Sequence, residues 1–96
     1  MGAVIVPHKD SIIKLIRAFY PDAKIYLFGS YARGTINQGS DIDIAIDVGK
    51  IMTLHERAFI WNFLDVLPIS QRVDLVDLQS VSEKFRATIL QEGVIW

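Results

Sequence analysis

The sequence predicts an α/β (α+β) fold in which one small mixed β-sheet is flanked by helices. Three observations predict it. Apolar residues recur at helical spacing between Lys9 and Tyr20, acidic and branched residues alternate from Asp41 to Val48, and short β-branched runs at 24–28 and 73–77 are interleaved with helical stretches.

Taken in order, Ile12, Ile13, Leu15, Ile16 and Phe19 form an apolar stripe and leave Lys9, Asp10, Lys14 and Arg17 for water, so an amphipathic helix is expected over 9–20. Pro21 and Asp22 stop it. Lys24 to Phe28 reads as a buried strand ending at Gly29, and 29–39 as a loop that opens with a helical turn at 30–33. Side chains alternate along a strand, so Asp41, Asp43, Ala45 and Asp47 share one face and Ile42, Ile44, Ile46 and Val48 the other. A second helix is expected from Thr53 to about Leu67; its apolar residues cover more than one stripe, which leaves one surface for a partner. Val73 to Asp77 is a third strand, 82–92 a third helix terminated by Gly93, and 94–96 an apolar tail. There is no internal repeat, low-complexity tract or linker.

The 96 residues have room for one domain, expected to span 1–96. Ten basic against eleven acidic residues leave a formal charge of −1, which supplies no bulk field for holding nucleic acid, so no direct nucleic-acid role is expected. The absence of cysteine excludes a disulfide scaffold, a thiolate metal site and a thiol nucleophile, and points to the cytoplasm. The apolar start at 2–6 lacks a basic flank and breaks at Pro7, and no run approaches the roughly 18 residues that span a bilayer, so neither export nor a membrane segment is expected. His8 and His55 lack metal-ligand spacing and are given surface or capping roles. Lys9, Lys14, Arg17 and Lys24 are read as a solvated face.

The chemistry concentrates in two segments. Asp41 and Asp43 lie two residues apart on one strand face, about 6.6 Å between Cα atoms, so both reach a single divalent ion. A carboxylate from the neighbouring strand would complete such a site, and Asp74 and Asp77, which point to opposite faces, are the candidates. Taken alone, the aspartate pair also reads as a solvated strand face. The preceding segment sharpens it: in Gly29-Ser30-Tyr31-Ala32-Arg33-Gly34, glycine allows close backbone approach to phosphate, Ser30 offers a hydroxyl and an N–H, and Arg33 offers a guanidinium fork. The alternative for this segment is a tight turn with Arg33 in a surface ion pair. A P-loop is excluded, because no Gly-Lys-Ser/Thr follows at the required spacing.

Gly29-Ser30, ten intervening residues and then Asp41-Ile42-Asp43 resemble the signature of the DNA polymerase β nucleotidyltransferase superfamily. The wording GSYARG, SDIDIAI and VDLVDL is closest to its smallest members, the minimal nucleotidyltransferase (MNT-type antitoxin) family, and the resemblance covers nearly the whole chain. It implies a polymerase β palm-like fold. It also implies that Gly29 and Ser30, assisted by Arg33, bind nucleotide phosphates, and that Asp41, Asp43 and Asp74 form a catalytic, metal-binding set for two Mg²⁺ ions. Asp77 does not match the pattern and is read as structural or solvated.

On that resemblance a nucleoside monophosphate, AMP from ATP, passes to a hydroxyl of a partner protein, a HEPN-type toxin that the chain neutralises as antitoxin. The alternative kept open is a non-catalytic module that binds nucleotide or partner and neutralises by contact. Phe59, Trp61, Phe63 and the tail 94–96 are more apolar than a monomer of this size requires, which suits a partner and is compatible with a homo-oligomer; otherwise they complete the core.

Overall fold

The computed structural model describes residues 6–36 and 39–96. The apolar start at 2–5 and positions 37 and 38 of the expected loop lie outside the described residues. Helix α1 (Lys9–Phe19) forms where the stripe places it: Ile12 and Ile16, one turn apart, are fully buried, and the Tyr20 N–H closes the helix on the Ile16 carbonyl. His8 takes the N-cap position but makes no capping bond with its side chain, so of its two expected roles the surface one stands.

Strand β1 (Lys24–Phe28) follows, then helix α2 (Gly29–Arg33), strand β2 (Ile42–Asp47), helix α3 (Leu54–Asp65), strand β3 (Val73–Asp77), helix α4 (Glu83–Glu92) and strand β4 (Val94–Ile95). The sheet order is β3-β2-β1-β4. β1 runs antiparallel to both β2 and β4, whereas β2 and β3 are parallel and are joined by α3 as the crossover such a pair needs. The sheet is therefore mixed, as expected. Ile42, Ile44 and Ile46 are fully buried in one core with Ile12, Ile16, Ile60 and Leu64 from α1 and α3. Each such isoleucine contributes about 1.5–3 kcal/mol by leaving water.

Four expectations are corrected. The segment after β1 becomes a helix at Gly29 itself, one residue before the expected turn. The face shared by Asp41, Asp43, Ala45 and Asp47 is not evenly wet, because Ala45 is fully buried against Leu78 and Ile89 of α4. That divides the acidic face into two ends. Asp47, at the far end, is engaged locally: its Oδ1 accepts from Gly49 N–H at 2.8 Å and from Gln79 Nε2 at 3.0 Å. Burial opposes its ionisation, but these bonds, with Lys24 and Arg86 nearby, outweigh burial and hold its pKa below the ordinary value.

The third correction is the tail. Val94 and Ile95 pair with Leu27 and Tyr26 as an edge strand, and the Trp96 N–H donates to the Ile25 carbonyl at 2.9 Å. Gly93 ends α4 in an extended conformation, with φ −70° rather than a left-handed cap. Glycine is needed there for proximity, since an added Cβ would stand 2.5 Å from the Ile89 carbonyl oxygen and 3.4 Å from that of Leu27. Fourth, α3 stops at Asp65, two residues short of the expected end. It starts in a capping box, with Glu56 N–H on Thr53 Oγ1 at 3.1 Å and Thr53 N–H on Glu56 Oε1 at 3.0 Å. Ile60 and Leu64 enter the core, while Leu54, Phe59 and Phe63 stay exposed, so the helix does carry a second apolar surface. No helix of the described residues is long and apolar enough to cross a membrane.

Candidate active site

The site candidates meet at one end of β2, on the face that α4 leaves uncovered beyond Ala45. Antiparallel pairing sets Asp43 opposite Phe28, the last residue of β1, and parallel pairing sets it beside Asp74 on β3, about 4.8 Å away across the sheet. Gly29 therefore begins α2 against the Asp43 side chain. Its φ is +73°, a left-handed value that disfavours any residue with a Cβ. A Cβ there would also collide with the carboxylate, lying 3.0 Å from Asp43 Cγ and 3.2 Å from its Cβ. Two separate demands fix glycine at this position. The Ser30 carbonyl takes the closing bonds of α2 from Gly34 N–H and, at 3.1 Å, from Thr35 N–H.

Electrostatics single out Asp43. Its pKa is raised, first by burial, then by the neighbouring charges of Asp74 and Asp41, with Arg33 pulling it down. Asp41, Asp43 and Asp74 are thus electrostatic neighbours, and Arg33 of α2 faces the same corner. Arg33 also pairs with Glu92 of α4 at 3.9 Å, so the surface ion pair weighed as its alternative is present as well. Asp77 is on the other face and nearly fully buried: its Oδ2 accepts from Met52 N–H at 2.8 Å and its Oδ1 from Gln79 N–H at 3.1 Å. Those bonds tie the loop before α3 to the end of β3, which is a structural role.

One residue escaped notice in the sequence. Arg72 holds Asp74, Nη2 to Oδ1 at 3.6 Å. The signal was available, because Arg72 stands two residues before Asp74 and so shares its strand face. Among the described residues no three His, Cys, Asp or Glu side chains converge closely enough to form a ready metal cage. The donor set nevertheless suits a hard divalent cation: all its ligands would be carboxylate oxygens, and a cation would relieve the repulsion that raises Asp43. His8 and His55 are both remote in sequence from this corner, in line with their expected surface placement.

A mixed sheet with helices on both faces, and a glycine turn set against strand carboxylates, defines the class: a nucleotidyltransferase-type α/β domain. The polymerase beta nucleotidyltransferase family model matches residues 11–95, and the chain belongs to that family. A protein adenylyltransferase MntA of Shewanella oneidensis is 37% identical over 89 residues, which are 90% of this chain and 62% of that protein. The chain thus spans under two thirds of that relative. A protein adenylyltransferase MntA of Thermococcus cleftensis is 33% identical over 92 residues, 96% of this chain and 88% of that one. Among solved structures, a toxin-antitoxin complex with AMP-PNP superposes with TM-score 0.78 at 37% identity, covering 91% of this chain and 71% of that one. A complex of the tri-AMPylated Shewanella oneidensis HEPN toxin with its MNT antitoxin gives TM-score 0.70 at 34% identity, covering 91% and 67%.

Proposed function

We propose that the chain is a single-domain nucleotidyltransferase that moves AMP from ATP to a hydroxyl of a HEPN-type toxin, and that it acts in the cytoplasm as that toxin's antitoxin. The observation that carries this reading is the corner itself: Gly29 pressed against Asp43, with Asp41 and Asp74 as its charged neighbours. The relatives named as adenylyltransferases and the AMPylated toxin complex support the substrate and the partner.

In this reading Asp41, Asp43 and Asp74 would hold Mg²⁺, which when bound supplies positive charge for the transferring phosphoryl group. Gly29 lets the chain approach the nucleotide phosphates without a side chain in the way. Ser30 offers them its hydroxyl and N–H, and Arg33, released from Glu92, offers its guanidinium. The acceptor hydroxyl gives its proton to a carboxylate of the corner, with Asp74 helping to activate it, its oxygen bonds to the α-phosphorus, the bond from that phosphorus to the bridging oxygen breaks, and pyrophosphate leaves. The protein's contribution is positioning and charge placement.

The rival reading, neutralisation by contact alone, draws on Arg72, which occupies Asp74. Label transfer separates the two. Protein, Mg²⁺ and α-phosphate-labelled ATP are incubated with host lysate or the product of the adjacent gene, in parallel with the Asp41→Asn, Asp43→Asn double variant. Label on one protein band with the wild type only is expected. Absence of label, with toxin neutralisation intact in the double variant, would install the contact mechanism instead.

A further inference from the structure

Among the described residues, Arg72 is the cation that pairs directly with a carboxylate of the aspartate corner; Arg33 pairs instead with Glu92. Arg72 precedes β3 by one residue, and its carbonyl accepts from Ile42 N–H at 2.8 Å, so the pairing of β2 with β3 extends back to it. Two residues along a strand return a side chain to the same face, about 6.6 Å further on, which brings Arg72 and Asp74 within reach of each other. The register that sets Asp74 beside Asp43, carried back by two residues, sets Arg72 beside Asp41. Arg72 thus stands between two of the candidate metal ligands, with Nη2 3.6 Å from Asp74 Oδ1.

This pair is weak and easily parted. The Arg72 side chain is 66% exposed and that of Asp74 36%, so water and salt screen their attraction. β3 is an edge strand, and the guanidinium can swing into water without leaving a packed site. Weakness is what a temporary partner requires. Carboxylates gathered at one corner repel each other, and a resident positive charge relieves that repulsion. Yet a guanidinium held on Asp74 also repels a second cation, so Arg72 must leave before Asp74 can ligate a divalent ion. In keeping with this, among the described residues the acidic side chains do not converge into a ready cage, and an oxygen of Asp74 is turned to Arg72.

Building on the nucleotidyltransferase reading, we propose that Arg72 is a built-in counter-cation for Asp74, a positioning residue that occupies this carboxylate in the metal-free protein and competes with the divalent ion for it. The opposite role, in which Arg72 holds Asp74 in its ligating pose, carries the opposite sign: removing the guanidinium would then weaken metal binding.

The test is a Mn²⁺ titration of the nucleotide-free protein, followed by the EPR signal of the free ion, at an ionic strength of about 0.15 M, where charges act over about 8 Å. Circular dichroism first shows each variant folded. Arg72→Gln is expected to tighten Mn²⁺ binding about twofold to fivefold, the range a screened ion pair supports. Arg72→Lys, which keeps the charge, and Lys24→Gln, which removes one beside Asp47 at the far end of the same face, are expected to bind as wild type. In an Asp74→Asn background, Arg72→Gln is expected to lose most of its gain, because the pair is already broken. Unchanged or weaker binding in Arg72→Gln, equal tightening in Arg72→Lys or Lys24→Gln, or the full gain without Asp74 would each overturn the assignment. The Asp41→Asn, Asp43→Asn variant separates this proposal from the reading it rests on. If that variant abolishes Mn²⁺ binding while Arg72→Gln is silent, the metal site stands and the counter-cation falls; if it binds as wild type, both fall. Tighter binding in Arg72→Gln without label transfer by the wild type would remove the enzyme reading and leave the counter-cation standing.

Discussion

Gly29→Ala tests the central geometric claim, and Gly34→Ala is its internal control. The two glycines bracket α2 with nearly the same backbone, φ +73° and +74°, so both substitutions incur the same left-handed penalty, about 1–2 kcal/mol. They differ in surroundings. A Cβ at Gly34 meets nothing within 4 Å, whereas one at Gly29 drives into the Asp43 side chain. Overpacking of this kind adds about 1–3 kcal/mol. Gly29→Ala should therefore cost about 2–5 kcal/mol in total and Gly34→Ala about 1–2 kcal/mol. Urea unfolding in EDTA, with both variants sharing the wild-type slope, measures the difference. Asp43→Ala placed in the Gly29→Ala background should narrow that gap, because it removes the carboxylate from the contact. Equal losses for the two glycine variants would refute the reasoning, since the Asp43 contact would then carry no energy.

Four further outcomes follow from the same structure. Asp43 has a raised pKa, so its native state holds a proton more tightly than the unfolded chain; its contribution to stability is complete below 3.8 and is lost as pH rises through the folded value. Asp43→Asn should thus raise the metal-free Tm at neutral pH and flatten its pH dependence in thermal unfolding with EDTA. Mg²⁺ with ATP should stabilise the wild type by about 2.7 kcal/mol at a hundred times Kd, a shift in Tm that the Asp41→Asn, Asp43→Asn double variant should lack. Glu56 is held down to about 2 by the Thr53 N–H, the Tyr20 hydroxyl and Lys50, so its contribution is present above 4.5 and fades as pH falls toward 2; NMR titration of its carboxyl checks the value, and Glu56→Gln should remove that acid-side loss. Asp77→Ala strands two N–H donors in a buried position and should cost about 2–4 kcal/mol by chemical denaturation, whereas Asp77→Asn, which keeps one acceptor oxygen, should cost less.

Much of this molecule was legible one residue at a time. The α1 stripe, the alternation of β2 and the helix starts at Thr53 and Ser82 are local patterns, and α1, β2, α3 and α4 formed within two residues of their expected bounds. The candidate site was legible for a different reason: Gly29-Ser30 and Asp41-Ile42-Asp43 are fixed spacings along a chain whose strand period sets which side chains share a face. Arg72 was legible in principle by that same period.

What the sequence alone determined, then, was the periodicity of each element and the chemical types gathered near β2. Which strands lie side by side was decided only by the tertiary structure, because pairing is a relation between distant residues that no local pattern encodes. Parallel pairing of β2 with β3 puts Asp74 beside Asp43 and sends Asp77 to the opposite face, under Met52. The docking of α4 buries Ala45 and splits one acidic face into the candidate-site corner and a bonded end at Asp47. The tail became a strand for the same reason: Val94 and Ile95 have no periodicity of their own, and the free edge of β1 gave their backbone groups partners.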